Sequence, residues 1–335
     1  MRQRIPLFTL ALALWACLHP LAAQSGDPSA WRNARPEQPT ILLITNATIW
    51  TSGPDGVLEE ADLLIRAGKV VRLGQDLSVP DSAVVIDAMG RHITPGLIDA
   101  HSHTAVTGGV NEGTNNVTSE VRIQDVLNPE SIDIYRQLAG GLTAANLLHG
   151  SANSIGGQNA IIKMRWGASA DELLLDGANP GIKFALGENP KQSNWGVDQR
   201  RYPQTRAGVE RSIHDAFQAA LDYRREWADY ESDAGKANRV PPQRDLQLEA
   251  LVEILEGERD IHSHSYRADE ILMLMRVAEE FGFRIKCFQH VLEGYKVADE
   301  LAEHGATAST FSDWWAYKYE VIDAIPYNGA IMWDR

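Results

Sequence analysis

Residues 41–87 alternate short β-type runs with turns. Gly53-Pro54-Asp55-Gly56 and Ala67-Gly68-Lys69 are turn signals between the runs. The pattern predicts the N-terminal part of a small β-sandwich, which we place at residues 40–94. The runs are Ile41–Ile44, Thr48–Trp50, Ala61–Ile65, Val70–Leu73 and Ala83–Ile86.

After Pro95-Gly96, apolar strand-like runs are separated by helical stretches. This alternation predicts parallel strands joined by crossover helices. A closed barrel of this type has eight strands, and the sequence offers seven. We therefore expect an α/β fold, an incomplete (β/α)8 TIM-type barrel over residues 95–335 that lacks strand eight. The seven candidates are Gly96–Ala100, Thr143–Leu148, Ala160–Met164, Ile182–Leu186, Asp260–His262, Arg284–Phe288 and Ala306–Thr310.

Helical spacing is clearest after strands five and six. Residues 205–258 add helical and charged sequence, which we interpret as an elaborated crossover between strands four and five. Gly156-Gly157-Gln158-Asn159 is interpreted as a turn. The first helix face is formed by Ile271, Leu274, Met275 and Ala278. The second is formed by Val291, Tyr295, Ala298 and Ala302.

The first residues have the pattern of a secretory signal. Arg2 and Arg4 precede the apolar run Ile5–Leu18, and Leu21-Ala22-Ala23 resembles a small-residue cleavage site. The apolar run has fewer residues than a helix normally needs to span a bilayer. We expect residues 1–23 to be a cleaved signal peptide and the protein to be periplasmic or extracellular.

The two cysteines bear on localisation and on stability. Cys17 raises a lipoprotein alternative, which Trp15 disfavours because small residues normally precede a lipidated cysteine. Residues 24–39 are rich in Pro, Ser and Gln and are interpreted as a linker. Once Cys17 leaves with the signal, Cys287 has no disulfide partner within the chain, so no intrachain disulfide can contribute to stability.

The amino-acid composition and net charge of the chain bear on which classes of binding partner are expected. Hydrophobic residues make up 44% and charged residues 23% of the 335 residues, which is typical of a packed globular protein. The formal net charge is −14, and no Lys/Arg block occurs. We therefore expect neither a nucleic-acid partner nor stable membrane insertion. The sequence gives no indication of the oligomeric state.

The strongest chemical signal is an apolar strand that ends in His-x-His. The run is Ile93-Thr94-Pro95-Gly96-Leu97-Ile98-Asp99-Ala100-His101-Ser102-His103. Residues i and i+2 of a strand point the same way, so His101 and His103 face one spot at the end of the strand where barrel active sites lie. Neutral imidazole is a preferred zinc ligand. Two structural histidines bonded to backbone are the alternative.

This run resembles the strand-one signature of the amidohydrolase superfamily, particularly its imidazolonepropionase-like and prolidase-like branch. The resemblance extends over roughly residues 41–335. It implies a (β/α)8 barrel with one or two divalent metals, usually Zn²⁺, and an accessory β-sandwich.

The resemblance also implies histidine ligands after strands five and six. In Arg259-Asp260-Ile261-His262-Ser263-His264-Ser265-Tyr266-Arg267 two histidines compete, and the position relative to Arg267 selects His264. His262 is then expected to lie next to the metal ligands without binding the metal itself. After strand six, Cys287-Phe288-Gln289-His290 supplies His290. A core histidine is the alternative reading for each.

Lys183, in the fourth strand, matches a lysine that many members of the superfamily carry in carboxylated form between two metals. Burial lowers the pKa of a lysine amine and makes it reactive toward CO₂. The alternatives are a lysine that extends out of the barrel or one that pairs with Glu188. Without carboxylation we expect a single metal.

The resemblance further implies an aspartate after strand eight, which ligates metal and transfers a proton. No counterpart is expected in this chain, and Asp313 after strand seven is not a substitute. The catalytic residue is therefore unknown, and we interpret the chain as a fragment of a longer protein whose activity depends on that aspartate. Candidate substrate contacts at strand ends are His149, Glu188, Tyr266 and Arg267, for which ordinary loop contacts are equally plausible.

Together these features predict a metal-dependent hydrolase. A metal-activated hydroxide would attack a C–N bond in a small amide, cyclic amide or dipeptide, as the resemblance implies. A deaminase is the alternative within enzymes. A catalytically inactive fragment or a non-catalytic metal-binding barrel is the alternative outside them. The sequence contains no Gly-x-Ser-x-Gly, no phosphate-binding loop and no Cys-x-x-Cys.

Overall fold

A computed structural model describes residues 37–191, 201–311 and 318–335. The predicted signal peptide, most of the predicted linker and Asp313 lie outside these residues. All described residues belong to one compact unit, Glu37–Arg335.

The N-terminal part forms one mixed five-stranded sheet with the order β3-β2-β1-β4, in which β5 also pairs with β1. Strands β1, β2 and β3 are antiparallel neighbours, whereas β4 and β5 run parallel to β1. One small core lies against this sheet, with Ala47, Ile49 and Leu63 among its buried residues. The strands are β1 (Ile41–Trp50), β2 (Val57–Arg66), β3 (Lys69–Gly74), β4 (Val84–Asp87) and β5 (His92–Ile93).

The rest of the chain contributes strands to two further sheets, β6-β7-β9 and β13-β12-β11-β10-β8. Neighbours are parallel from β10 to β13, as are β6 and β7. The strands are β6 (Leu97–Ser102), β7 (Leu142–Leu147), β8 (Ile155–Gln158), β9 (Ala160–Lys163), β10 (Gly181–Ala185), β11 (Asp260–Ser265), β12 (Ile285–His290) and β13 (Thr307–Thr310). Within the described ranges, β6 and β13 do not pair, so no closed barrel forms there.

The predicted third strand runs in the opposite direction from the one expected. Strand β9 is antiparallel to β7, and β8, one residue before it, is antiparallel to β10. A parallel neighbour is usually joined by a crossover helix, but the connection from β7 to β9 contains no helix and instead contains β8, which pairs with β10 in the other sheet. The prediction of a turn at Gly156-Gly157-Gln158-Asn159 was also wrong. The glycines allow close packing instead, since a Cβ at Gly157 would lie 2.7 Å from the carbonyl oxygen of Val121.

Helices connect the parallel strands and cover them. They are α1 (Ile132–Ala139), α2 (Ala170–Leu173), α3 (Arg206–Glu231), α4 (Asp233–Asn238), α5 (Leu246–Leu255), α6 (Ala268–Phe281), α7 (Ala298–His304) and α8 (Asn328–Trp333). In the described part of the chain, no helix is both long enough and apolar enough to cross a membrane.

The first predicted helix face is confirmed, because Ile271, Leu274, Met275 and Ala278 are all buried on α6. The second helix was predicted to begin too early. Val291 has a left-handed backbone with φ of 35°, which a helix cannot contain, and α7 begins only at Ala298 after a short 3-10 turn.

The crossover between β10 and β11 contains α3, α4 and α5, as predicted. The side chain of Thr205 accepts a hydrogen bond from the backbone N–H of Gly208 and caps the start of α3. The ring of Phe217 on α3 stacks on that of Phe283, with centroids 4.3 Å apart. This contact joins the crossover to the main apolar core.

Candidate metal centre

Four histidines from three strands meet at the carboxyl ends of β6, β11 and β12. Ring centroids are 5.1 Å apart for His101 and His103, 4.7 Å for His101 and His290, and 4.6 Å for His264 and His290. We call these four residues and Lys183 the imidazole cluster. The structure thus brings together all five residues that the sequence suggested as metal ligands.

His101 and His103 turn one nitrogen each toward the same point. Their Nε2 atoms are 3.3 Å apart. The opposite nitrogens are held by the protein, since His101 Nδ1 lies 2.9 Å from Gln289 Oε1 and His103 Nδ1 lies 2.8 Å from the carbonyl oxygen of Leu148. Two nitrogens bound to one tetrahedral zinc ion at its usual bond length are about 3.3 Å apart. The pair therefore has the spacing of two ligands of one ion.

Lys183 lies at the middle of β10 and is fully buried. Its Nζ is 3.3 Å from His101 Nε2. Among the described residues no carboxylate pairs with it, so the alternative of a pair with Glu188 is not observed, and neither is an outward-pointing side chain. Burial lowers the pKa of Lys183 to about 7, and a large fraction of its amine is neutral near that pH.

The structure separates the roles of His262 and His264. His264 is buried, and neither of its ring nitrogens has a hydrogen-bond partner among the described residues. Its ring packs against His290 and, at 4.5 Å, against Tyr266. His262 instead lies opposite Lys183 in the strand register and places Nδ1 3.4 Å from Gln289 Nε2. His264 thus belongs to the cluster, and His262 lies behind it.

The backbone at His290 is left-handed, with φ of 69°. Side chains alternate between faces along a regular strand, so Gln289 and His290 would ordinarily point apart, yet both contact His101. The left-handed turn explains how two consecutive residues reach the same ring. Such conformations cost on the order of 1–3 kcal/mol and concentrate at functional sites.

Burial keeps the imidazoles neutral. Loss of water lowers the pKa of His101 to about 3 and holds that of His264 well below its usual value, and the nearby Lys183 amine acts in the same direction. The pKa of His103 is lowered by the same two causes. Neutral rings have the free lone pair that metal binding requires.

The predicted substrate contacts are placed differently from one another. Tyr266 is buried against His264 and lies 5.5 Å from His290, between ring centroids. Arg267 binds Asp269 at the start of α6. Glu188 lies 3.7 Å from Arg206. His149 is buried in a loop contact, where its Nε2 accepts from the backbone N–H of Glu112.

Sequence reasoning missed two neighbours of the cluster. Gln289 is fully buried and touches both His101 and His262. Phe311 stacks on His290 with ring centroids 5.2 Å apart. The only available signal was the position of a polar Gln directly before His290 at a strand end.

The donor set fits a divalent metal ion. It offers neutral imidazole nitrogens, a buried amine and, in His264, two buried nitrogens without protein partners in the described ranges. Over the same ranges, no three His, Cys, Asp or Glu side chains already have the spacing of a formed metal site. The match therefore rests on donor chemistry and on the His101–His103 pair.

Comparisons with known proteins find amidohydrolases that are similar to this chain. The sequence matches no protein-family profile. An amidohydrolase structure from Thermotoga maritima MSB8 has a TM-score of 0.78 and 32% identity, covering 88% of this chain and 76% of that one. The curated amidohydrolase tasK of Hapsidospora irregularis is 30% identical over 335 aligned residues, 88% of this chain and 34% of that protein. An imidazolonepropionase of Mycolicibacterium smegmatis is 33% identical over 70 residues, 21% of this chain and 18% of that protein. The chain thus spans about a third of the length of tasK.

Proposed function

The chain belongs to the amidohydrolase superfamily, and from this premise we propose that it carries the metal-binding part of a hydrolase. The bond cleaved is a C–N bond in a small amide, cyclic amide or dipeptide. The observation that carries the proposal is the 3.3 Å separation of His101 Nε2 and His103 Nε2, with Lys183 Nζ 3.3 Å from the former.

The imidazole cluster would hold one or two divalent cations, and Zn²⁺ suits its nitrogen donors best. A divalent cation supplies Lewis acidity and lowers the pKa of water toward about 7. Carboxylation of Lys183 by CO₂ would form a new N–C bond, release one proton and leave an anionic oxygen ligand. Its burial without a carboxylate partner in the described ranges supports that modification.

The protein's own residues prepare this site. Leu148 and Gln289 hold the two rings of the His-x-His pair in place. Tyr266 and Phe311 pack against His290 and limit the access of bulk water. Tyr266 is, of the proposed substrate contacts, the one that touches the cluster.

Further properties of the whole protein are part of the proposal. We expect the whole protein to have an eighth barrel strand with an acid–base aspartate, as the family resemblance implies. Export by the predicted signal remains a prediction. Membership of the superfamily is the basis for the proposed substrate class.

The test is a screen of the zinc-loaded whole protein against dipeptides, lactams and hydantoins. We expect hydrolysis of at least one class, abolished in His101→Ala/His103→Ala. His92→Ala is the matched control, because His92 lies in the N-terminal sheet, contacts Trp50 and should retain full activity. Zinc bound without any turnover would favour the non-catalytic binding module. Equal activity in the double variant would refute the site.

A further inference from the structure

Gln289 links His101 to His262. It is fully buried on β12, with its Oε1 2.9 Å from His101 Nδ1 and its Nε2 3.4 Å from His262 Nδ1. The Nε2 also lies 3.3 Å from Cys287 Sγ. Both ends of the amide thus have partners, and the two histidine contacts form a continuous chain from His262 to His101.

A neutral imidazole has one N–H and one lone pair, so the partner of one nitrogen decides the role of the other. If His101 Nδ1 donates to Gln289 Oε1, His101 Nε2 has the lone pair. That lone pair points toward His103 Nε2 and Lys183 Nζ, each 3.3 Å away. With the amide reversed, Nδ1 would accept and Nε2 would present a hydrogen toward the same point.

The orientation of the amide is coupled to the tautomer of His262 at its other end. With Nε2 toward His262, as in the structure, Gln289 donates, His262 Nδ1 accepts, and His262 has its hydrogen on Nε2. His262 reaches this position because it lies on β11, where its register partner on β12 is Cys287, two residues before Gln289. In this orientation one arrangement of hydrogens satisfies both histidine contacts, whereas the reversed amide would require the opposite tautomer at both His262 and His101.

We propose that Gln289, oriented by His262, is a positioning residue that fixes the tautomer of His101 so that Nε2 faces the metal position. The inference rests on the proposed metal site and assigns a function to two residues outside the ligand set. Groups that hold a ligand histidine from behind typically change metal affinity about 10–100-fold when removed.

The first test measures zinc affinity of the full chain by competition with a chromogenic chelator. We expect Gln289→Met to weaken zinc binding about 10–100-fold. Gln289→Glu retains an acceptor for His101 Nδ1 and should restore most of the affinity. The matched control is Gln158→Met, because Gln158 also lies on a strand but donates to the carbonyl oxygen of Ser119 and should leave affinity unchanged.

The second test needs neither metal nor turnover. Long-range ¹H–¹⁵N correlation spectra of histidine-labelled, metal-free protein report the tautomer of His101, assigned from His101→Ala. We expect hydrogen on Nδ1 in the wild type and in Gln289→Glu, and a mixed or reversed tautomer in Gln289→Met and His262→Ala. Circular dichroism of each variant separates misfolding from a tautomer change.

The two tests separate the inference from the proposed function. Absence of zinc binding in the wild type would remove the metal site, while the tautomer would still report on Gln289. Unchanged affinity and unchanged His101 tautomer in folded Gln289→Met would overturn the positioning role, while zinc binding by the wild type left the site intact.

Discussion

Two polar clusters follow the same set of strands: the members of the first are neutral bases without a carboxylate, and the second pairs two cations with two buried carboxylates. In the imidazole cluster, neutral bases face one another and His264 has no hydrogen-bond partner among the described residues. In the second cluster, Arg206 binds Glu270 and, at 3.0 Å, Glu320, and Lys318 lies 2.7 Å from Glu320. We call Arg206, Glu270, Glu320 and Lys318 the arginine cluster.

The difference agrees with the proposed metal site and with a structural connection at the arginine cluster. Buried charges that are paired within the protein stabilise one arrangement of α3, α6 and the segment near residue 320. Buried donors and acceptors without such partners cost free energy unless another group satisfies them. The imidazole cluster thus has the composition of a binding site, and the arginine cluster that of a structural connection.

Removal of Arg206 should have the largest effect on stability. Arg206→Met leaves Glu270 and Glu320 buried and short of a cation, and both are less than a tenth exposed. We expect the free energy of unfolding to fall by about 3 kcal/mol, as measured by urea denaturation of metal-free protein. Zinc affinity should be nearly unchanged in the folded fraction. A loss below about 1 kcal/mol would place this cluster with weak surface pairs.

Zinc affinity should separate His264 from His262. His264→Ala removes a direct ligand and should weaken zinc binding at least about 100-fold, whereas His262→Ala acts through Gln289 and should cost about 10-fold. Isothermal titration with zinc measures both variants. The reverse order would exchange the roles of the two histidines.

The arginine cluster should also make stability depend on pH. Burial raises the pKa of Glu270 from 4.5 to about 7, against the opposing effect of Arg206. The folded protein therefore binds this proton more tightly than the unfolded chain, so stability falls as pH rises from about 4.5 to 7. We expect this fall to be on the order of 1 kcal/mol larger in the wild type than in Glu270→Gln, by urea denaturation at several pH values. Parallel curves would contradict the assignment.

The smallest effect is expected at an exposed ion pair. Arg122 binds Asp125 at 2.6 Å, and both side chains are about half exposed. Arg122→Met should change the free energy of unfolding by less than about 0.5 kcal/mol and is the matched control for Arg206→Met. Similar losses in both variants would mean that burial does not distinguish the clusters.

Sequence reasoning located the imidazole cluster better than the arginine cluster. The His-x-His pair follows an apolar strand directly, so a local pattern identified His101 and His103, and the family resemblance added Lys183, His264 and His290. Arg206, Glu270 and Glu320 come from three distant segments, and no local spacing connects them.

The local sequence pattern also did not predict the direction of the strands in the sheets. Apolar runs predicted the positions of β9 and β10 in the sequence. An apolar run does not indicate whether its strand is parallel or antiparallel to the neighbouring strand. The connection from β7 to β9 contains β8 and no crossover helix, and β9 is antiparallel to β7. Gln289 was missed because its role depends on the left-handed turn at His290, which brings two consecutive side chains to one ring.

Metal content tests the central claim most directly. The full chain, folded by circular dichroism, is loaded with zinc, dialysed and analysed by plasma emission spectrometry. We expect about one or two zinc ions per chain, near two when Lys183 is carboxylated. We expect none in His101→Ala/His103→Ala. A zinc content near zero in the wild type, or one that the double variant retains, would contradict it.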